Sequence, residues 1–277
     1  MKQEIIYLKD YFSFLGENGK NPNVTVYLPD PMIEMKRNDR KRPCLVICPG
    51  GGYGMVSQRE GEPIAFHFLP LGYNVFIVRY SVAPNRFPTQ LREVAAVMEL
   101  IYENADSWHC DTSKIAIMGF SAGGHLAAHY STCYDIPEVR EVFPDSKPVQ
   151  ASLLCYPVIS ADPAIAHLGS FRNLLGVNVL TKEQEEAFSC DRRVTEKTPP
   201  AFLWHTAGDN AVPVANSLVY ARALADYKIP CGLHIYPHGW HGLATADGET
   251  NDDLPNDVSV AADWLEQARK WLQITFQ

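Results

Sequence analysis

The chain has 277 residues, of which 46% are hydrophobic and 20% charged, and it carries a formal net charge of −8. This composition is sufficient for a substantial buried core, and the length permits one large domain or two ordinary ones. The negative charge argues against nucleic acid or an anionic membrane as partner, because either would require concentrated Lys and Arg, and favours a small-molecule ligand.

The N-terminal part is predicted to form the edge of a sheet. Residues 5–8 and 23–28 alternate or run apolar around a stretch that bears Gly and Asn, which indicates an antiparallel strand pair. A short basic cluster at residues 36–42, interrupted by Asp39, follows. We interpret this cluster as a solvated loop between two strands.

From residue 44 onward, apolar strand-like runs alternate with segments of helical period. This pattern predicts an α/β fold, a mostly parallel central sheet with helices on both faces. Helical spacing is clear at residues 91–101 and in a closing helix at 258–272 that Pro255 can start. The whole chain, 1–277, is predicted to be one domain. The predicted strands are residues 44–48, 73–80, 114–120, 150–158, 201–207 and 231–236.

Residues 159–200 interrupt this alternation with a long polar insertion. The insertion contains Thr181-Lys182-Glu183-Gln184, a capping box that predicts one short helix. Long connections in compact domains usually have a role at a site, so we interpret the insertion as a small lid. The alternative is an irregular connection without such a role.

The segment Gly119-Phe120-Ser121-Ala122-Gly123 matches the G-x-S-x-G nucleophile elbow, with a strand entering and a helical segment leaving. In this turn the serine hydroxyl is exposed at a strained tip, so its neighbours must be small. Ser121 is therefore the predicted nucleophile. The alternative is that the glycines only allow a helix to pack closely on a strand.

A serine hydroxyl requires a histidine base and a carboxylate that orients the histidine. In this kind of fold the acid follows the serine and the histidine comes last. Asp209 follows the strand 201–207 and is the predicted acid, whereas acids after the histidines violate the order. His241 is the predicted base because Gly242 permits a tight loop, and His238 remains the alternative.

Pro49-Gly50-Gly51-Gly52-Tyr53-Gly54 directly follows the first core strand, where acyl transfer needs amides that bind a developing oxyanion. Gly51, Gly52 and Ala122 are the predicted donors. A phosphate-binding loop is the alternative, but neither the G-K-[ST] of a P-loop nor a full G-x-G-x-x-G is present.

No metal or cofactor is predicted. His125 and His129 share a helix face at i, i+4, but no Glu lies between them, so zinc-protease chemistry is disfavoured and local packing is expected. The seven cysteines are interpreted as reduced core residues. A basic-then-apolar N-terminal signal and a membrane-length apolar stretch are both missing, so the expected location is cytoplasmic.

These motifs, together with Arg79-Tyr80-Ser81-Val82-Ala83-Pro84, resemble those of the hormone-sensitive-lipase-like esterases of the α/β-hydrolase fold. The Pro-Gly-Gly-Gly-Tyr loop and the Gly-Phe-Ser-Ala-Gly-Gly-His elbow are also similar to those of carbohydrate acetyl and feruloyl esterases. The resemblance spans about residues 40–245. Pro49 and Phe120 stand where the lipase-like pattern has His and Asp, which favours the carbohydrate-esterase branch.

The resemblance implies hydrolysis of carboxylic esters through an acyl-enzyme, with a short acyl group such as acetyl, on sugars among other alcohols. Tyr53, Phe171 and Trp240 are predicted to contact the substrate. Two alternatives stay open, an arylformamidase-like amidase and a non-catalytic hydrolase-fold binding protein. The sequence does not set the oligomeric state, and a homo-oligomer is left open.

Overall fold

The computed structural model describes residues 1–16, 21–36 and 39–277. Within these residues, eight strands form a single sheet. The strands are β1 Lys2–Tyr7, β2 Asn23–Leu28, β3 Arg42–Cys48, β4 Asn74–Arg79, β5 Cys110–Phe120, β6 Ala151–Cys155, β7 Ala201–Thr206 and β8 Cys231–Tyr236.

The order of strands across the sheet is β1-β2-β4-β3-β5-β6-β7-β8. Strand β2 is antiparallel to both of its neighbours, and all the other neighbouring pairs are parallel. The prediction of a mostly parallel sheet preceded by an antiparallel edge pair is therefore confirmed. The Gly- and Asn-bearing stretch between the edge strands falls partly on residues 17–20, which lie outside the described residues, as do residues 37 and 38 of the basic cluster.

Helices cover both faces of the sheet, because the central strands carry apolar side chains on both faces and both must be buried. Val46 belongs to the core shared with α2, α3 and α7, while its neighbours Leu45 and Ile47 belong to the core shared with α1, α8 and α9. The α-helices of the described residues are α1 Glu62–Phe68, α2 Thr89–Glu103, α3 Ala122–Cys133, α4 Pro137–Arg140, α5 Leu168–Leu175, α6 Lys182–Phe188, α7 Ala215–Asp226, α8 Asn256–Ser259 and α9 Trp264–Thr275.

The closing segment is less regular than predicted. Pro255 directly precedes α8, as expected of a proline at a helix start, but a 3₁₀ turn at Val260–Asp263 separates α8 from α9. Val258, Ala261 and Leu272 are nevertheless all buried against the same face. The apolar period therefore predicted the packed face correctly but not the change of helix type within it.

The insertion at residues 159–200 contains more structure than predicted. The capping box is confirmed, since the Thr181 hydroxyl accepts the Gln184 amide at 3.2 Å and the Gln184 side chain accepts the Thr181 amide at 3.0 Å. This box begins α6. A further helix, α5, and a 3₁₀ turn at Cys190–Arg193 complete the insertion.

All seven cysteines lie in the described part of the chain, where each is unpaired and all but Cys231 are buried. No helix in the described ranges combines the length and the apolar character that crossing a membrane would require.

The strand order creates a crevice at one end of the sheet. Strand β3 lies between β4 and β5, so the connections that leave β3 and β5 run to opposite faces of the sheet. Open α/β sheets bind ligands at such a switch point, outside the carboxyl ends of the strands. The glycine loop that follows β3 and Ser121, which follows β5, both lie there.

Candidate active site

Ser121 occupies a sharp turn between β5 and α3, with φ 54° and ψ −119°. A positive φ is strained for a residue other than glycine and persists where the surroundings enforce it. A Cβ on Gly119 would lie 2.1 Å from the Gly123 carbonyl oxygen, and a Cβ on Gly123 would lie 2.1 Å from the Cys48 carbonyl oxygen. The glycines of the motif are therefore required by the close approach of three backbone segments.

Ser121, His241 and Asp209 form a hydrogen-bonded chain. Nε2 of His241 lies 2.7 Å from Oγ of Ser121, and Nδ1 lies 2.7 Å from Oδ2 of Asp209. Because a carboxylate only accepts hydrogen bonds, Nδ1 carries the proton and Nε2 is free to accept from the serine hydroxyl. The structure thus brings the three predicted residues together from the loops after β5, β7 and β8. The alternative base, His238, is exposed.

The Asp209 carboxylate is held by hydrogen bonds on both oxygens. Oδ1 accepts hydrogen bonds from the backbone amides of Ala211 at 2.9 Å and Val212 at 2.8 Å. Oδ2 accepts the hydrogen bond from His241 and also lies 3.2 Å from Nε2 of His205. Burial acts to raise the pKa of Asp209, but the hydrogen bonds from His205 and His241 outweigh burial and hold the pKa well below its usual range. The carboxyl group therefore stays ionised at neutral pH.

His205 was not predicted from the sequence as part of the site. It is fully buried at the end of β7, and its Nε2 lies 2.9 Å from the carbonyl oxygen of Val212. Since that carbonyl only accepts, Nε2 carries the proton and can also point toward Asp209, while Nδ1 accepts from the Ser217 hydroxyl at 2.8 Å. The available signal was a histidine inside a mostly apolar strand, four residues before the acid.

The glycine loop presents free amides beside Ser121. A Cβ on Gly51, where φ is +125°, would lie 2.3 Å from a carbonyl oxygen of the same loop. Among the described residues, the amides of Gly51 and Gly52 have no hydrogen-bond partner, whereas the Gly50 amide donates to the Glu60 carboxylate at 2.8 Å. Ala122 is the first residue of α3, so its amide has no acceptor within the helix. The three predicted donors are therefore available to a ligand.

The insertion contributes to the wall of the site. His167 precedes α5, is half-buried and lines the cavity that contains Ser121. Burial, and then the proximity of His241, lower the pKa of His167. Asn173 of α5 donates to the Gly52 carbonyl oxygen at 2.8 Å, which ties the insertion to the glycine loop. Neither residue was predicted, because no helical period or motif marks α5 in the sequence.

An open cavity of about 440 Å³ surrounds the serine hydroxyl. Its wall combines backbone, polar side chains and one methionine. The lining residues are Gly51, Gly52, Met55, Ser57, Arg59, Glu60, Ser121, His167, His241 and Gly242.

The aromatic residues predicted to contact substrate lie elsewhere. Tyr53 is 1% exposed and its hydroxyl is hydrogen-bonded to Nδ1 of His125 at 2.9 Å. Phe171 is fully buried with its ring 5.1 Å from that of His125. The predictions for Tyr53 and Phe171 are corrected, because both rings fill the core behind the glycine loop. Trp240 is 44% exposed and is not among the residues that line the cavity.

His125 and His129 are packed in the core. Nε2 of His125 donates to the Phe188 carbonyl oxygen at 2.9 Å, and the ring of His129 stacks on that of Phe87. Burial lowers the pKa of His125 to about 3 and that of His129 to about 4. In the part of the chain that is described, no group of three or more His, Cys, Asp or Glu side chains could hold a metal ion.

Comparison with known proteins relates this chain to carbohydrate esterases. The BD-FAE family profile matches residues 31–224. The chain is 34% identical over 257 residues to endo-1,4-beta-xylanase B of Butyrivibrio fibrisolvens, covering 89% of this chain and 38% of that protein. It is 33% identical over 227 residues to the acetylxylan esterase of Xylanibacter ruminicola, covering 80% of this chain and 45% of that protein. The chain thus spans less than half the length of either curated relative.

Solved structures show the same architecture over nearly the whole chain. An acetyl ester-xyloside bifunctional hydrolase from Caldicellulosiruptor lactoaceticus superposes with a TM-score of 0.82 at 33% identity, covering 98% of this chain and 95% of that one. A carboxylesterase from Lactobacillus plantarum also gives 0.82, at 28% identity and coverage of 99% and 97%. The predicted α/β-hydrolase fold is confirmed, and the chain belongs to the BD-FAE family of esterase-like α/β-hydrolases.

Proposed function

We propose that this protein is a serine carboxylesterase that hydrolyses short-acyl esters, above all acetyl esters, of sugars. The observation that carries the proposal is His241, which bridges the Ser121 hydroxyl and the Asp209 carboxylate at 2.7 Å on either side. This geometry supplies a nucleophile, a base and an orienting acid in one hydrogen-bonded chain.

The first half of the reaction forms an acyl-enzyme. Oγ of Ser121 attacks the ester carbonyl carbon while Nε2 of His241 takes the serine proton. The resulting imidazolium is stabilised by the ionised Asp209, and the carbonyl oxygen becomes negative within reach of the amides of Gly51, Gly52 and Ala122. Collapse of the tetrahedral intermediate breaks the bond to the alcohol, which leaves with the proton held on His241.

The second half releases the acid. His241, neutral again, takes a proton from water as the water oxygen attacks the acyl carbon, and the same amides stabilise the second oxyanion. Collapse breaks the bond to Oγ, and the proton returns from His241 to Ser121. Asp209 fixes the tautomer of His241 throughout, so Nε2 always faces the reacting atoms.

A sugar as the alcohol part of the ester suits the chemistry of the cavity. Ser57, Arg59 and His167 line it beside Ser121, and such side chains exchange hydrogen bonds with hydroxyl groups rather than bury a long alkyl chain. The names of the similar proteins, an acetylxylan esterase and an acetyl ester-xyloside hydrolase, support acetylated sugars as the substrate class.

Kinetics on a graded set of esters tests this proposal. We expect kcat/KM to fall at least roughly tenfold from p-nitrophenyl acetate to the octanoate, because Met55 is the one apolar side chain among the described residues that line the cavity. We also expect acetate release from acetylated xylosides. Ser121→Ala provides the background rate. Equal rates on acetate and octanoate would refute the short-acyl assignment, and inactivity on every ester would refute the esterase assignment.

A further inference from the structure

Glu60 is a buried carboxylate beside the reacting groups that the reaction described above does not use. It is 4% exposed and lines the same cavity as Ser121 and His241. A buried carboxylate is costly unless donors surround it, so its contacts indicate what it does.

One carboxylate oxygen holds the glycine loop. Oε2 of Glu60 accepts the Gly50 amide at 2.8 Å, and a Cβ on Gly50 would lie only 2.8 Å from the same oxygen. The Gly50 carbonyl in turn accepts the amide of Ser57 at 2.9 Å, so both sides of this residue are fixed. The next amide along the chain, that of Gly51, is one of the free donors. Fixing Gly50 therefore sets the direction of the oxyanion donors.

The other carboxylate oxygen holds the loop of the base. Oε1 of Glu60 accepts the Tyr156 hydroxyl at 2.6 Å, and that hydroxyl accepts the Ala244 amide at 3.0 Å. Burial, and then the Glu60 charge, raise the pKa of Tyr156 well above its usual range, so the phenol keeps its proton and donates. The Tyr156 ring and the imidazole of His241 pack edge to face, with 5.1 Å between ring centres.

We propose that Glu60 is a positioning residue that holds the glycine loop and the loop of His241 in a fixed arrangement relative to each other. This inference rests on the proposed ester hydrolysis. One side chain links the loops after β3, β6 and β8, which meet at the site but are far apart in sequence. Both direct partners are donors, so an ionised carboxylate, which accepts on both oxygens, matches them where an amide does not.

Substitutions at Glu60 distinguish the hydrogen-bonding role of its carboxylate from a role in packing alone. In Glu60→Gln the single amide oxygen can serve the Gly50 amide or Tyr156 but not both, and in Glu60→Ala both contacts are lost. Misplacement of reacting groups by about 1 Å can cost roughly a hundredfold in rate. We expect kcat on p-nitrophenyl acetate to fall about tenfold in Glu60→Gln and about a hundredfold in Glu60→Ala, with KM changed less than about threefold.

Two further variants control the experiment. Tyr156→Phe keeps the ring against His241 and removes only the hydroxyl, and we expect a kcat loss similar to that of Glu60→Gln. Glu93→Gln alters another buried carboxylate that accepts a backbone amide, from Ser81 at 2.7 Å, and should leave kcat within about twofold of wild type. Thermal unfolding shows which variants are folded. If Glu60→Ala is unfolded, the kcat values of Tyr156→Phe and Glu60→Gln test the positioning role.

The outcomes are distinct. Wild-type protein without esterase activity overturns the proposed function and this inference with it. Active wild type with Glu60→Gln and Tyr156→Phe both at full kcat overturns the positioning role alone. A loss confined to KM also overturns it, because substrate binding rather than geometry at the reacting atoms would then depend on Glu60.

Discussion

Replacing Asp209 by Asn should reverse the tautomer of His241. An amide has one acceptor oxygen, and the loop amides of Ala211 and Val212 both point at the position of Oδ1. The amide oxygen will therefore face these two donors, and the NH₂ group will face Nδ1 of His241. An imidazole that accepts on Nδ1 carries its proton on Nε2, so it cannot take the proton of Ser121.

The expected cost follows from losing the base while the oxyanion donors remain. In triads of this kind the same change lowers kcat roughly 10⁴-fold at neutral pH, which corresponds to about 5.4 kcal/mol of transition-state stabilisation. KM should change little, because Asp209 does not line the cavity. Initial rates on p-nitrophenyl acetate at pH 7 measure both quantities.

Asp252→Asn is the matched control. Asp252 is an exposed acid that follows the histidines, outside the chain order that a triad acid requires, so its amide variant should keep wild-type kinetics. A loss of less than tenfold in Asp209→Asn, or an equal loss in both variants, would refute the assignment of the acid.

Three further predictions concern the packing around the site. Gly123→Ala should lower the free energy of unfolding by about 2 kcal/mol or more, because the new Cβ would lie 2.1 Å from a carbonyl oxygen at the end of β3, whereas Gly248→Ala, with nothing within 4 Å, should be neutral by urea denaturation. Equal stabilities would contradict the close-approach argument. Tyr53→Phe should cost about 1 kcal/mol through its lost core hydrogen bond and leave KM unchanged, and a raised KM would instead return Tyr53 to the substrate site. The pKa of His129 is lowered from 6.5 to about 4 in the folded protein, so the unfolded state takes up the proton first as pH falls. His129 therefore lowers the free energy of unfolding as pH falls from about 6.5 to about 4. Glu93, whose pKa burial raises to about 7, acts in the opposite direction, so the test compares wild type with His129→Phe: the slope of unfolding free energy against pH should differ by up to about 1.4 kcal/mol per pH unit, and identical slopes would contradict the prediction.

The features that could be predicted are those encoded locally. The last strand, Cys231–Tyr236, is predicted to the residue, because Pro230 and Pro237 bound a run that is too short for a typical helix. Ser121 is recognisable because a strained strand-to-helix turn leaves few choices at its flanking positions, and chain order then selects Asp209 and His241.

The features that could not be predicted depend on contacts between distant segments. Tyr53 stands next to the free amides of the glycine loop, yet its ring turns into the core toward a histidine of α3, and sequence proximity does not reveal that direction. Glu60 is a charged residue in a polar loop, where the ordinary expectation is exposure. Its burial follows only once the loops after β3 and β6 meet, which is a property of the sheet order rather than of any local pattern.

We conclude that Ser121 is a nucleophile activated by His241. A fluorophosphonate, which reacts with activated serines, followed by peptide mass mapping tests it most directly. We predict stoichiometric labelling of Ser121 in the wild-type protein, no labelling in Ser121→Ala and greatly slowed labelling in His241→Ala. Labelling of another residue, absence of labelling, or an undiminished rate in His241→Ala would contradict this conclusion.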